Sequence, residues 1–137
     1  MKKFVLTVIA YIVASMVIAV PWHLIWFKDV YHNLGAIGRE DPIIALGMFS
    51  MVLQGAVIAY VYPYLSKGGH PVVEGVKITF ILGILIYSVM GPATAAKYRI
   101  EPISTFLMYH TAFQFIQFTL AGAVIGFIQG RKIQSTR

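Results

Sequence analysis

The run "ISTFLMYHTAFQFIQFTLAGAVIGFIQ", Ile103–Gln129, contains no Asp, Glu, Lys or Arg. A helix crosses the hydrocarbon core of a bilayer with about 20 apolar residues, at a rise of about 1.5 Å each, and this run exceeds that length. Three further uncharged runs precede it: Phe4–Phe27, Pro42–Ser66 and Ile78–Ala96. The third is the shortest, and its apolar character extends back toward Val72. A membrane β-barrel would show segments of about ten residues alternating in polarity, and these runs do not alternate. The pattern predicts an all-α, integral membrane four-helix bundle. One domain over residues 1–137 is expected, with helices near 4–27, 42–66, 76–96 and 103–129.

Composition agrees. Hydrophobic residues make up 58% of the chain and charged residues 12%, whereas a soluble domain carries roughly a quarter charged residues. The N-terminal "MKKFVLTVIAYIVASMVIAVPW" resembles a signal peptide in its two lysines, its apolar core and the small-residue "VIA". Its apolar run continues through Trp26, long enough to span, so it reads as the first helix. Cysteine is absent, which excludes disulfides, thiolate metal sites and cysteine nucleophiles.

The net charge of +6 is scattered at helix ends and does not point to nucleic acid. Lys2, Lys3, Lys67, Lys77, Arg131, Lys132 and Arg137 fall on one side of the predicted membrane; Lys28, Arg39, Lys97 and Arg99 fall on the other. The positive-inside rule then places both termini in the cytoplasm, and the lipid bilayer is the first expected partner. In the outer loop, Val30, Tyr31, Leu34 and Ile37 recur at roughly helical spacing before Gly35 and Gly38. That fits a short interfacial helix or a solvated loop. Three loops end in X-Pro pairs, Asp41-Pro42, His70-Pro71 and Glu101-Pro102. Proline suits a first helical turn, so Asp41 is expected to cap the second helix and Glu101 to favour the positive end of the fourth.

An internal echo runs through the chain. "GAVI" at Gly55–Ile58 recurs at Gly122–Ile125, and Ala45 and Leu53 match Ala112 and Leu120 in the same register. The first and third helices each carry a late proline, Pro21 and Pro92. The alternatives are a duplicated two-helix hairpin and chance similarity between apolar segments.

The last helix has two faces. His110, Gln114, Gln117 and Ala121 follow i, i+4, i+7, i+11 and form one stripe. Gly122, Gly126 and Gly130 are spaced by four, and Gly55 and Ala59 repeat the idea in the second helix. Small residues at that spacing let helices approach closely. An amide or imidazole left unpaired in hydrocarbon costs several kcal/mol, so the polar stripe should face inward. Candidate partners are Ser50 and Gln54 on the second helix, His23 on the first, and Tyr87 and Ser88 on the third.

Three readings compete for this cluster. One is an interhelical hydrogen-bond network. The second is a pocket for a quinone or lipid headgroup, formed by His23, Gln54, His110, Gln114 and Gln117 and walled by Trp22, Trp26, Phe113 and Tyr109. The third is b-type haem between His23 and His110. Met48, Met51, Met90 and Met108 are soft copper ligands in principle, and more simply core filler. No charged residue lies mid-membrane, which argues against a proton-coupled transporter, although histidine can carry a proton. No phosphate loop, HExxH or nucleophile motif is present.

The stretches "WHLIWFKDVYHNLG", "EDPIIALGMFSMVLQGAVIAYVYP" and "FQFIQFTLAGAVIGFIQG" together resemble small uncharacterised bacterial four-helix membrane proteins of the domain-of-unknown-function 1761 type. The likeness lies in an aromatic end to the first helix, a glycine-bearing outer loop and a tyrosine-rich end to the second helix. It implies a four-helix inner-membrane protein and carries no activity or site residues. The leading expectation is therefore a non-enzymatic inner-membrane protein without cofactor, acting through helix packing as an accessory or assembly subunit or as a homo-oligomer. The pocket and haem readings stand as alternatives.

Overall fold

In the computed structural model, which describes residues 1–36, 39 and 41–130, the uncharged runs are helical and no strand forms among the described residues. Helix α1 (Lys2–Val20) passes into a π-helical segment (Pro21–Trp26), followed by the short α2 (Lys28–Asn33). Then come α3 (Ile44–Leu65), α4 (Pro71–Met90), the short α5 (Pro92–Lys97) and α6 (Ile103–Gly130). Four stretches, Lys2–Trp26, Ile44–Leu65, Pro71–Lys97 and Ile103–Gly130, are long and apolar enough to cross a membrane. The chain is thus an all-α, multi-pass membrane four-helix bundle. Large side chains such as Phe49, Val57, Ile84, Leu85 and Phe115 are exposed. An apolar surface of that extent is a liability in water and the natural face toward lipid.

The helices lie in the spatial order α3, α1, α6, α4. Helix α6 packs along both α1 and α4 and is the most buried span; α3 packs mainly on α1 and is the least buried. Lipid tails are as apolar as leucine, so close van der Waals packing has to hold such helices together. Glycines supply it. A Cβ on Gly122 would stand 2.6 Å from the Val76 Cα, and one on Gly126 would stand 2.1 Å from the Pro71 carbonyl oxygen. Opposite them, a Cβ on Gly75 would lie 2.1 Å from the Gly122 carbonyl oxygen. Gly130 meets the Pro71 ring in the same seam. The expected GxxxG packing is therefore spent inside the chain, between α4 and α6, and is not open for a homodimer. In the other hairpin a Cβ on Gly55 would stand 3.2 Å from the Val8 Cα, a looser counterpart, and Ala59, one turn further on, is buried. Gly55 and Gly122, the matched residues of the echo, thus play the same role in the two hairpins.

Two clusters fill the interior. Tyr11, Ala14, Ile58, Tyr62, Ile78, Ala121 and Ile125 form one. Trp22, Tyr31, Leu34, Ala95, Ile100, Phe106 and Phe113 form the other, at the end where α2 and α5 lie. At the opposite end Lys3 Nζ donates to the Gln129 carbonyl at 2.7 Å, so the start of α1 and the end of α6 meet. A lysine there also favours the negative end of α6.

The interfacial turn is helical, as α2. Gly35 ends it with φ +82°, and a Cβ there would stand 2.8 Å from the Arg99 carbonyl oxygen. Glu101 N–H donates to the Leu34 carbonyl at 2.9 Å. The two loops on this side are thereby docked on each other. Ile37 and Gly38, and the basic Arg131, Lys132 and Arg137, lie outside the described residues. Two expectations about helix starts are corrected. The third span starts at Pro71, five residues before the expected 76, because Glu74 is compatible with a first turn: its carboxylate accepts the Lys67 N–H at 2.7 Å. Asp41 does not cap α3, whose N-cap is Ile43 with no side-chain bond.

Candidate functional site

Proline at position 21 removes a backbone donor and crowds the preceding turn. The ladder widens there: Phe27 N–H bonds to the Trp22 carbonyl, five residues back, at 3.0 Å. Single π turns of this kind are the usual way a helix absorbs such a disturbance. The extra residue per turn separates side chains that an α-helix would align. Trp22 points inward and donates its indole N–H to the Tyr31 hydroxyl at 3.1 Å. Trp26 is 66% exposed. The expectation that Trp22 and Trp26 share one pocket wall is corrected here, because it assumed α-helical spacing through Pro21.

The α6 stripe is inward as expected: His110, Gln114 and Gln117 are all buried. Each meets a different neighbourhood. Gln117 Nε2 donates to Ser15 Oγ of α1 at 3.1 Å. The Tyr11 hydroxyl lies beside Ser15 and Gln117 and donates to Gln54 Oε1 of α3 at 2.5 Å. Gln54 Nε2 in turn donates to Ser50 Oγ at 3.1 Å. A continuous polar line thus crosses three helices. Tyr11 and Ser15, its central members, were not among the expected site residues. Their i, i+4 spacing on α1 was the available signal.

His110 stacks between Phe106 (centroids 5.5 Å, 13° between planes) and Tyr87 (5.9 Å, 22°). Gly91, between α4 and α5, leaves room for it: a Cβ there would stand 3.1 Å from His110 Cδ2. His23 packs edge-on to Phe113 at 4.5 Å and against Tyr31 at 4.9 Å. Tyr31, in α2, has its hydroxyl pKa raised above the ordinary value, chiefly by burial. The two histidines therefore share one aromatic cluster. That arrangement does not fit haem. The faces of His110 are covered by rings, Phe113 packs near both imidazoles, and neither cavity described below is lined by His23 or His110. The described residues hold no grouping of three or more His, Asp or Glu side chains that could bind a metal ion.

Gln114 is different. Its Nε2 lies 3.4 Å from His110 Nε2, and its Oε1 is buried with no hydrogen-bond partner. The same side chain lines a cavity of about 170 Å³ between α4 and α6, walled by Phe80, Gly83, Ile84, Tyr87 and Phe118. A wider, shallow groove of about 610 Å³ runs along α6 and shares Thr111 and Phe115 with that cavity. The residues proposed for one pocket are thus divided: Gln54 and Gln117 sit in the polar line, Trp22 and His23 in the aromatic cluster, and His110 and Gln114 between that cluster and the α4–α6 cavity. Compared with family models, curated proteins and solved structures, the chain finds no match.

Proposed function

We propose that this chain is a small non-enzymatic protein of the bacterial inner membrane, with both termini cytoplasmic, that serves as an accessory or assembly subunit. In this reading α3 packs against a helix of a larger membrane complex. The observation that carries it is the Ser50–Gln54 pair. Gln54 lies at the middle of the α3 span, its bond to Ser50 is exposed, and Ser50 itself faces outward. An amide N–H and a hydroxyl at that depth are poorly placed against lipid, and a polar partner helix would cover them. The neighbouring Gly47 is exposed with nothing within 4 Å, so a second helix has close access to this face. The seven-to-four lysine and arginine distribution supports the orientation.

A photo-crosslinker placed at Ser50 in native membranes tests the reading. The expected product is a discrete adduct with one other polypeptide, absent when the crosslinker is moved to Leu85. Crosslinks to lipid alone would overturn it. An adduct at twice the chain mass would assign the same face to self-association, which is the remaining form of the homo-oligomer reading now that the glycine seam is internal.

A further inference from the structure

The α4–α6 cavity is on the opposite flank of the bundle from α3, and what it holds does not depend on the accessory role. We infer that it binds a lipid-soluble molecule with a single six-membered ring bearing a hydrogen-bonding oxygen, of which the head of a membrane quinol is the natural example.

The first argument is the unpaired oxygen. A buried acceptor without a partner is destabilising, and Gln114 Oε1 is such an atom in a residue 7% exposed. Gln114 lines the cavity, and a rotation of its side chain that brings this oxygen to the cavity wall would let a ligand hydroxyl donate to it and remove that penalty. The second argument is size. An apolar cavity of about 150 Å³ accommodates benzene, and this one is about 170 Å³. It takes one ring and excludes a macrocycle. The third argument is the wall. Phe80, Phe115 and Phe118 present ring faces and edges, and the absence of a side chain on Gly83 seats Phe118, which a Cβ would meet at 2.4 Å. The Tyr87 hydroxyl and Thr111 Oγ1, 2.8 Å apart, add a second polar point at the rim.

The fourth argument is the exit. The groove on α6 begins where the cavity ends, at Thr111 and Phe115, and continues past Ala112 and Met108 toward Ser104. Its apolar floor suits a tail that stays in lipid while the ring is held. Ile84, exposed at the rim, marks the side from which the ring would enter.

The Gln114–His110 pair gives the site a property that a lone carbonyl or a lone N–H would lack. With Nε2 of Gln114 donating to His110, the free oxygen accepts from a ring hydroxyl. Turning the amide over, with the imidazole proton on Nε2, leaves the amide N–H₂ free to donate to a ring carbonyl instead. One side chain thereby accommodates either the hydroxyl or the carbonyl form of the ring.

The test uses the full chain in lipid nanodiscs, with a synthetic benzoquinol carrying a short alkyl tail as the probe. Binding is measured by equilibrium partition against protein-free discs, so that dissolution in lipid is subtracted. The expected result is saturable excess binding at one probe per chain. An alkylbenzene of equal length, lacking oxygen, should bind at least about tenfold more weakly, a difference of ~1.4 kcal/mol. Gln114→Leu should weaken the quinol by a similar factor without lowering the thermal midpoint of the ligand-free protein. Ile84→Trp closes the rim from an exposed position and should abolish binding, while Ser50→Ala on the far flank should not change it. No saturable excess, equal binding of the alkylbenzene, or unchanged binding in both Gln114→Leu and Ile84→Trp would each overturn the assignment. A cavity filled only by water gives the first of these results.

Discussion

Gly122→Ala tests what holds this bundle together. The added methyl would lie 2.3 Å from Thr79 Oγ1, 2.6 Å from the Val76 Cα and 2.9 Å from the Gly75 carbonyl oxygen. Two of these three atoms are backbone, so no rotamer change relieves the contact, and α4 must move away from α6 by roughly 1 Å to restore ordinary van der Waals separation. Overpacking of this kind costs about 1–3 kcal/mol. The same movement stretches the bond from Thr79 Oγ1 to the Phe118 carbonyl, now 2.9 Å, and an interhelical bond in a membrane is worth about 0.6–1.7 kcal/mol. The sum is a loss of about 2–5 kcal/mol. Unfolding in mixed detergent micelles, followed by the fluorescence of the buried Trp22, measures it. Gly47→Ala is the control, because that position meets nothing within 4 Å and a Gly→Ala change alone favours helix by about 1 kcal/mol. A Gly122→Ala protein within about 0.5 kcal/mol of the Gly47→Ala protein would refute the seam as the main source of α4–α6 cohesion.

Two other outcomes follow from the same geometry. A double-mutant cycle on Ser15→Ala and Gln117→Leu should give a coupling near 1 kcal/mol from the buried 3.1 Å bond between them; no coupling would mean that neither group relies on the other. Gly35→Ala forces a non-glycine residue to φ +82° and drives its Cβ into the Arg99 carbonyl oxygen. It should cost about 1–2 kcal/mol locally and raise amide exchange at Glu101 while leaving α1 and α6 protected; global destabilisation would show instead that the loop docking is part of the main core.

Parts of this architecture were legible because hydrocarbon imposes a rule at every residue of a span. Backbone groups must pair within the segment, so an uncharged run of sufficient length is a helix. The same rule turned His110, Gln114 and Gln117 inward before any neighbour was known. The spacing of Gly122, Gly126 and Gly130 announced a close helix contact, but not with which helix. Gly75 and Gly83 on α4 complete that contact. With Thr79 midway between them they form a small-residue pattern at four-residue spacing, a signal the sequence carried and the reading of the last helix alone did not use. Trp26 was misplaced because a periodicity argument fails once a π turn inserts an extra residue. Asp41 was assigned to a cap that it cannot make, because the helix begins at Ile44 and its N-cap is Ile43, two residues further on.

By itself the sequence determined the four spans, the inward polar stripe and the need for a glycine seam, since each follows from local composition and helical period in an apolar solvent. Only the tertiary structure decided the partners. It spent the seam between α4 and α6, tied Gln117 to Ser15 and Gln54 to Tyr11, and left Gln114 Oε1 unpaired beside a ring-sized cavity. The physical reason is that period fixes which face a residue occupies, whereas the choice among apolar neighbours depends on shape at the scale of a single methyl group, which no one-dimensional pattern carries.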